Sequence, residues 1–275
     1  MPESFTAKQP EHQNLTAGTV SRIAAMLDQG DVPCMSGDEV PLGWHFPLLS
    51  AGRGDCRARR DRFPGLGLPL PDVDLPRIVA AGREIEFHEP LHIGEQLERQ
   101  SSIDTLVEKE ALAGRLAIMA TSHRIASAGS ANPAVEEKQT YIFLASPHSD
   151  RSAQPWTSHS QARKLGEFTP DDTFLFQFSA LSFNSHRIHL DRDYARTVEG
   201  YPDLVVNGGI TTLLMTEYVR RNLGFTRGKI KVTNSTPLFV NRCITFMVEP
   251  TSMGSRISAL NSEGVLAVEM EVEIP

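Results

Sequence analysis

The chain has no apolar run approaching the roughly 20 residues that cross a bilayer. Its first residues, Met1-Pro2-Glu3-Ser4-Phe5, carry no basic-then-apolar leader. Cysteine is scarce: the three present, Cys34, Cys56 and Cys243, are far apart and form no CxxC. That pattern reads as free thiols in a reducing compartment and argues against a disulfide framework or a zinc site. Positive charge is in deficit, with a net charge of -7 over 275 residues, which argues against a general nucleic-acid surface. GxGxxG, GxxxxGK(S/T) and GxSxG are all missing, so no dinucleotide, P-loop or hydrolase-elbow signal exists. What remains is ordinary globular composition, 40% hydrophobic and 22% charged, and the expectation is a soluble cytoplasmic protein with no membrane or nucleic-acid partner.

The pattern of residues divides the chain. An amphipathic helix is predicted from near Leu15-Thr16, with Val20, Ile23, Ala24 and Leu27 on one face and Gly30 ending it. The stretch from Pro33 to Pro76 is dense in Pro and Gly and reads as a long ordered loop. Strand patterns follow at Arg83–Phe87, Leu116–Ile125 and Gln139–Leu144. A polar Ser-, His- and Pro-rich segment then suggests a linker, so the expected units are residues 1–148, a linker at 149–165, and residues 166–275. In the second unit a helix is predicted from about Gly208 to Asn222, with Ile210, Leu213, Leu214 and Tyr218 as its apolar face. Strands are predicted at Lys229–Thr233, Arg242–Glu249, Arg256–Leu260 and Leu266–Ile274. Helix followed by strands, in each half, fits an α+β class and disfavours a parallel βαβ sheet.

The chemistry concentrates in Phe183-Asn184-Ser185-His186-Arg187-Ile188-His189-Leu190-Asp191. His189 is the candidate general base, since an imidazole near its usual pKa of about 6.5 accepts a proton at neutral pH. Asn184 offers an amide donor and an acceptor, suited to hold water or a substrate carbonyl. The bland alternative is a histidine bonded to a backbone carbonyl for structural reasons. A metal site using His186 with Asp191 or Asp193 has no regular ligand spacing to support it, so no metal is expected. Arg187 reads as a loop-holding ion-pair partner of Asp191. Asn207-Gly208-Gly209 reads as a helix start: Asn is a good N-cap, and glycine lets a ligand approach unpartnered backbone N–H groups. The arginines at 53, 57, 59, 60 and 62 are either a solvated loop or a phosphate contact.

The stretch Ser179–Asp191, with Asp193-Tyr194-Ala195 and Glu199–Val206 after it, resembles the MaoC-like hydratase/dehydratase family. It is most similar to the two-domain branch that contains mesaconyl-CoA and itaconyl-CoA hydratases. Leu75–Arg83 and Phe87–Glu95 resemble the N-terminal module of that branch. The resemblance implies a double hotdog, two antiparallel sheets each wrapped around a long helix, with a degenerate first half that covers substrate. It implies addition of water to a short dicarboxylyl-CoA, or the reverse, with no cofactor beyond the thioester substrate and with homodimerisation. It assigns His189 as base, Asn184 as the residue orienting water, and Gly208 N–H, with Gly209 N–H, as oxyanion donors. Substrate contacts implied are Asn207, His186, Tyr201 and Trp44, with Phe46 beside it. Arg77, Arg83 or Arg187 is the expected partner of a distal carboxylate. Asn207 stands where the family has histidine. A 3-hydroxyacyl-thioester dehydratase, on CoA or a carrier protein, and a non-catalytic acyl-CoA-binding protein remain as alternatives.

Overall fold

The computed structural model describes residues 10–49, 59–65, 67–68, 70–111, 114–145, 155–157 and 161–273. Arg53, Cys56, Arg57 and parts of the expected linker lie outside them. The first half contains β1 (Glu11–Gln13), α1 (Ala17–Met26), β2 (Arg77–Phe87), β3 (Leu97–Ala111), β4 (Gly114–Ser127) and β5 (Val135–Leu144). The second contains β6 (Arg163–Phe168), α2 (Asp172–Leu181), α3 (Arg192–Thr197), α4 (Gly208–Leu223), β7 (Gly228–Asn234), β8 (Ile244–Thr251), β9 (Gly254–Leu260) and β10 (Leu266–Glu273). β6 begins inside the segment expected to be a linker.

All ten strands form one antiparallel sheet in the order β1-β3-β4-β5-β2-β7-β10-β9-β8-β6. Read outward from the centre, each half has the same topology, a repeat that residue identity alone does not reveal. This is the double hotdog of the α+β class. None of the described helices is long and apolar enough to cross a membrane.

The helices form where local chemistry favours them. Thr16 caps α1, its hydroxyl accepting from Thr19 N–H at 3.1 Å. Asp171 caps α2 and Asp191 caps α3 in the same way; each such cap is worth about 1 kcal/mol. α4 ends at Gly224, whose φ of 65° suits glycine. Residues around most of the circumference of α4 are buried, including Thr211, Thr212, Thr216 and Glu217. A helix covered on all sides needs no strong amphipathic stripe. The sheet covers one side of it, and the 39–49 segment covers another.

That segment ends the expectation that Trp44 contacts substrate. Trp44 is fully buried, and its indole N–H donates to Glu217 at 2.7 Å. Gln29 and Arg220 donate to the same carboxylate at 2.6 and 2.7 Å. A buried carboxylate is tolerated only with donors of this kind, so Trp44 is a structural clasp between the halves.

The halves fuse where β2 pairs with β7, with Gly82 opposite Thr233 and Ile85 opposite Ile230. The β2–β5 register shifts between Ala80 and Gly82, a bulge that bends the strand. A Cβ on Gly82 would lie 2.4 Å from Val232 O, so only glycine lets the two backbones approach this closely. Gly82→Ala is expected to cost about 1–3 kcal/mol through overpacking. A lowered midpoint in guanidinium unfolding checks this; an unchanged midpoint would refute the close-approach account.

Candidate active site

Two segments of the second half converge to build the site. α2 ends at Leu181, and Phe183 then adopts φ 49°, a left-handed conformation that costs a non-glycine residue about 1–2 kcal/mol. The reversal turns Asn184 back along the chain, where its Oδ1 accepts from His186 N–H at 3.0 Å. A short 3₁₀ turn, Arg187–His189, follows. The extended residues before α4 then cross it, Val205 N–H donating to Ile188 O at 2.9 Å.

This crossing orients the His189 ring. His189 Nδ1 lies 2.7 Å from Val205 O. A carbonyl only accepts, so Nδ1 carries the proton and Nε2 presents a lone pair. Val205 is two residues before Asn207, the N-cap of α4, so the ring is anchored beside the glycine end of that helix. Burial pushes the His189 pKa down to about 4, against a smaller opposing effect of the Val205 bond. The expectation of an imidazole titrating near its usual value is therefore corrected: the ring is neutral well below neutral pH because desolvation penalises the cation.

At the helix start, Asn207 Oδ1 accepts from Gly209 N–H at 2.7 Å. Gly209 N–H is thus consumed by the cap and is not the second oxyanion donor expected. Gly208 N–H has no partner among the described residues and lies at the positive end of the α4 dipole. A Cβ on Gly208 would be 3.3 Å from Asn234 Nδ2 and 3.9 Å from Ala80 Cβ, which places this helix end against both β7 and β2.

A pocket opens here, lined by Phe46, Leu49, Phe63, Pro64, Gly65, Arg83, Gln139, Tyr141, Phe178, Ser182, Asn184, Asn207 and Gly209. Of the expected residues, Asn184, Asn207 and Gly209 are on its wall. His189, 6% exposed, and Gly208 are not on that wall, although Gly208 lies between Asn207 and Gly209, which are. Phe46 stacks on Phe178 at 4.6 Å and does form wall, unlike Trp44.

Other expected contacts are committed elsewhere. Arg77 forms a buried ion pair with Glu199 and donates to Tyr201 Oη at 2.9 Å. Tyr194 Oη donates to Glu199 at 3.2 Å. Arg77 and Tyr201 thus pin the 192–203 cap to β2 and do not line the pocket. Arg187 pairs with Asp191 at 2.6 Å, as expected of a structural residue, and its guanidinium lies 4.0 Å over Tyr194. His186 is buried, its ring edge-on to His189 at 5.3 Å, and its Nε2 has no hydrogen bond. Burial, with the His189, Arg59 and Arg77 charges, lowers its pKa well below the usual value.

In the described part of the arginine-rich loop Arg59 is spent on Asp61, whereas Arg60 and Arg62 are exposed. Asp61 is fully buried, held by Arg59 at 2.6 Å and by Phe63 N–H, and Asp61 O accepts from Arg187 N–H at 2.9 Å. The loop therefore clasps the segment that carries His189. Sequence reasoning missed Gln139, Tyr141, Phe63 and Phe178 as wall residues. A signal existed for the first two: Glu137, Gln139 and Tyr141 share the strand face of Val135 and Phe143, so polar groups interrupt an otherwise apolar row.

The hydroxyacyl-thioester dehydratase type 2 family model matches residues 57–240. The chain belongs to that family. It is thus a member of a hydro-lyase family. The mesaconyl-C(4)-CoA hydratase of Chloroflexus aurantiacus is 28% identical to it over 271 residues, covering 97% of this chain and 95% of the relative. Among solved structures, a MaoC-like dehydratase from Phytophthora capsici matches with a TM-score of 0.70 at 15% identity, covering 98% of this chain and 95% of the other. A Mycobacterium tuberculosis protein described as a double hotdog matches with a TM-score of 0.62 at 10% identity, covering 98% and 95%. At those identities the structural matches speak to fold alone.

The depressed His189 pKa makes this family member acid-sensitive. The unfolded chain takes up a proton at this ring near pH 6.5, the folded chain only near pH 4, so stability is lost as pH falls through that window. The contribution is about 3 kcal/mol. His189→Gln is expected to lessen the slope of urea-unfolding stability against pH between these limits, leaving the part due to His123 and His186. Parallel curves for the two proteins would contradict the assignment.

Proposed function

We propose that the protein is an enoyl-CoA hydratase that adds water to the double bond of a short dicarboxylyl-CoA of the mesaconyl-CoA or itaconyl-CoA type. The observation that carries the reading is the bond from His189 Nδ1 to Val205 O, which aims a neutral Nε2 from beside the start of α4. The similarity to a mesaconyl-C(4)-CoA hydratase over nearly the whole chain supports the substrate class.

In the proposed mechanism the thioester oxygen accepts a hydrogen bond from Gly208 N–H and the alkene is polarised toward the enolate. Asn184 has its oxygen engaged by His186 N–H, so its amide donates to the attacking water. His189 Nε2 takes one water proton, and the hydroxide bonds to the β-carbon. The enolate then collapses, and the imidazolium returns the proton to the α-carbon. A ring whose cation is disfavoured by burial gives up that proton readily. The proposed roles leave Asn207 with cap formation, which accounts for an amide in place of imidazole there. They leave the first half, in which no FNxHRIHxD sequence occurs, to cover the acyl chain.

The family description favours a second reading, dehydration of a 3-hydroxyacyl thioester, which uses the same residues in reverse. Loss of the conjugated enoyl absorbance, measured with mesaconyl-CoA, itaconyl-CoA and crotonyl-CoA, separates the substrates. Turnover of a dicarboxylyl-CoA is expected, and His189→Ala is expected to lower kcat by about 10²–10⁴-fold with the fold intact. A His189→Ala protein at full activity would overturn the mechanism. Tight acyl-CoA binding without turnover by the unaltered protein would favour a binding role.

A further inference from the structure

We propose that Arg83 recognises the distal carboxylate of the acyl group, an inference that rests on the hydratase reading for its substrate. Arg83 is the one charged residue among the described residues of the pocket wall. Its neighbours there are aromatic, aliphatic, hydroxyl or amide groups, so an anion entering the pocket meets a cation and no carboxylate.

Arg83 is built to present donors. Its side chain is 12% exposed, and Nη1 donates to Glu137 at 3.1 Å. Nε and Nη2 have no partner among the described residues, and these two nitrogens form one edge of the guanidinium fork that matches a carboxylate. Glu137 behind it is fully committed: Gln139 Nε2 donates to it at 2.6 Å and His45 Nε2 is bonded to it at 2.9 Å. Tyr141 in turn donates to Gln139 at 2.5 Å. Arg83, on the pocket wall, is therefore held from behind by Glu137 through Nη1, and Nε and Nη2 remain to bond an anion.

Position agrees with the chemistry. The glycine end of α4 abuts Ala80 on β2, and Arg83 is three residues further along that strand, a run of about 10 Å. The bulge between Ala80 and Gly82 puts Arg83 on the same face as Gln139 and Ile85. A thioester carbonyl at Gly208 and a carboxylate at the far end of a short acyl chain fit between these two points, with the arginine side chain spanning the remainder. The two rival arginines are not on the pocket wall: Arg77 is bound to Glu199 and Tyr201, and Arg187 to Asp191.

The test compares mesaconyl-CoA with crotonyl-CoA, an enoyl thioester without the carboxylate, on the full chain and on Arg83→Gln and Arg83→Lys. Both kcat/KM and calorimetric binding are recorded, with an unfolding midpoint for each protein. Arg83→Gln is expected to lower both quantities about 10²-fold more for mesaconyl-CoA than for crotonyl-CoA, and so to abolish discrimination; Arg83→Lys is expected to fall between. Equal losses on both thioesters, or an unaltered preference, would overturn the assignment. Should the glutamine variant fail to fold, the lysine variant decides by whether its preference narrows. An unaltered protein that hydrates both thioesters equally keeps the hydratase reading and removes the carboxylate site. One that turns over neither, but binds mesaconyl-CoA more tightly through Arg83, does the opposite.

Discussion

The contact on which the molecule depends is the backbone approach of β2 to β7 at Gly82, where no side chain fits between the strands. It turns two five-stranded sheets into one and sets their relative register. Because α4 begins against the same stretch of β2, the register also decides which residues of the first half face the helix end. The pocket wall is consequently shared. Asn184, Asn207, Gly209 and Phe178 come from the second half, and Phe46, Phe63, Arg83, Gln139 and Tyr141 from the first.

The interior beneath that wall follows a consistent electrostatic logic. Imidazoles without a charged partner are held neutral by burial, as at His189 and at His123, whose pKa is also lowered to about 4. Carboxylates are kept ionised when donors converge on them. For Glu137, burial pushes the pKa up, yet Arg83 and His45 prevail and hold it at about 2. Donors also converge on Glu217 and Asp61. The outcome is a rigid support in which a neutral acceptor and a neutral amide are available for chemistry while formal charges are paired. Rigidity of this kind matters because small displacements of catalytic groups are costly in rate.

Much of this was legible in the residue pattern. The helix from Gly208 was readable because Asn207-Gly208-Gly209 and Leu223-Gly224 mark both ends, and the last three strands because alternation and Gly turns frame them. The FNxHRIHxD core carried the resemblance to the family. β3 was not readable: its second half, from Thr105, is largely exposed and charged and is strand only because β4 pairs with it. β6 was missed for a similar reason, as a short edge strand with little apolar alternation. In the site, local contacts such as the Asn207 cap follow from nearest-neighbour chemistry. Pairings such as Arg77 with Glu199 or Trp44 with Glu217 join residues more than a hundred positions apart. No local rule distinguishes such an arginine from a substrate ligand. The choice among Arg77, Arg83 and Arg187 therefore needed three-dimensional placement.

The seam has a further consequence during translation. β2 emerges from the ribosome well over a hundred residues before β7, so for that interval one of its edges has no partner strand. An open edge of this length invites pairing with other chains. The nascent first half is thus the period of greatest aggregation hazard. The charged residues Arg83, Glu84 and Glu86 along that strand oppose adventitious strand addition until the cognate strand is synthesised.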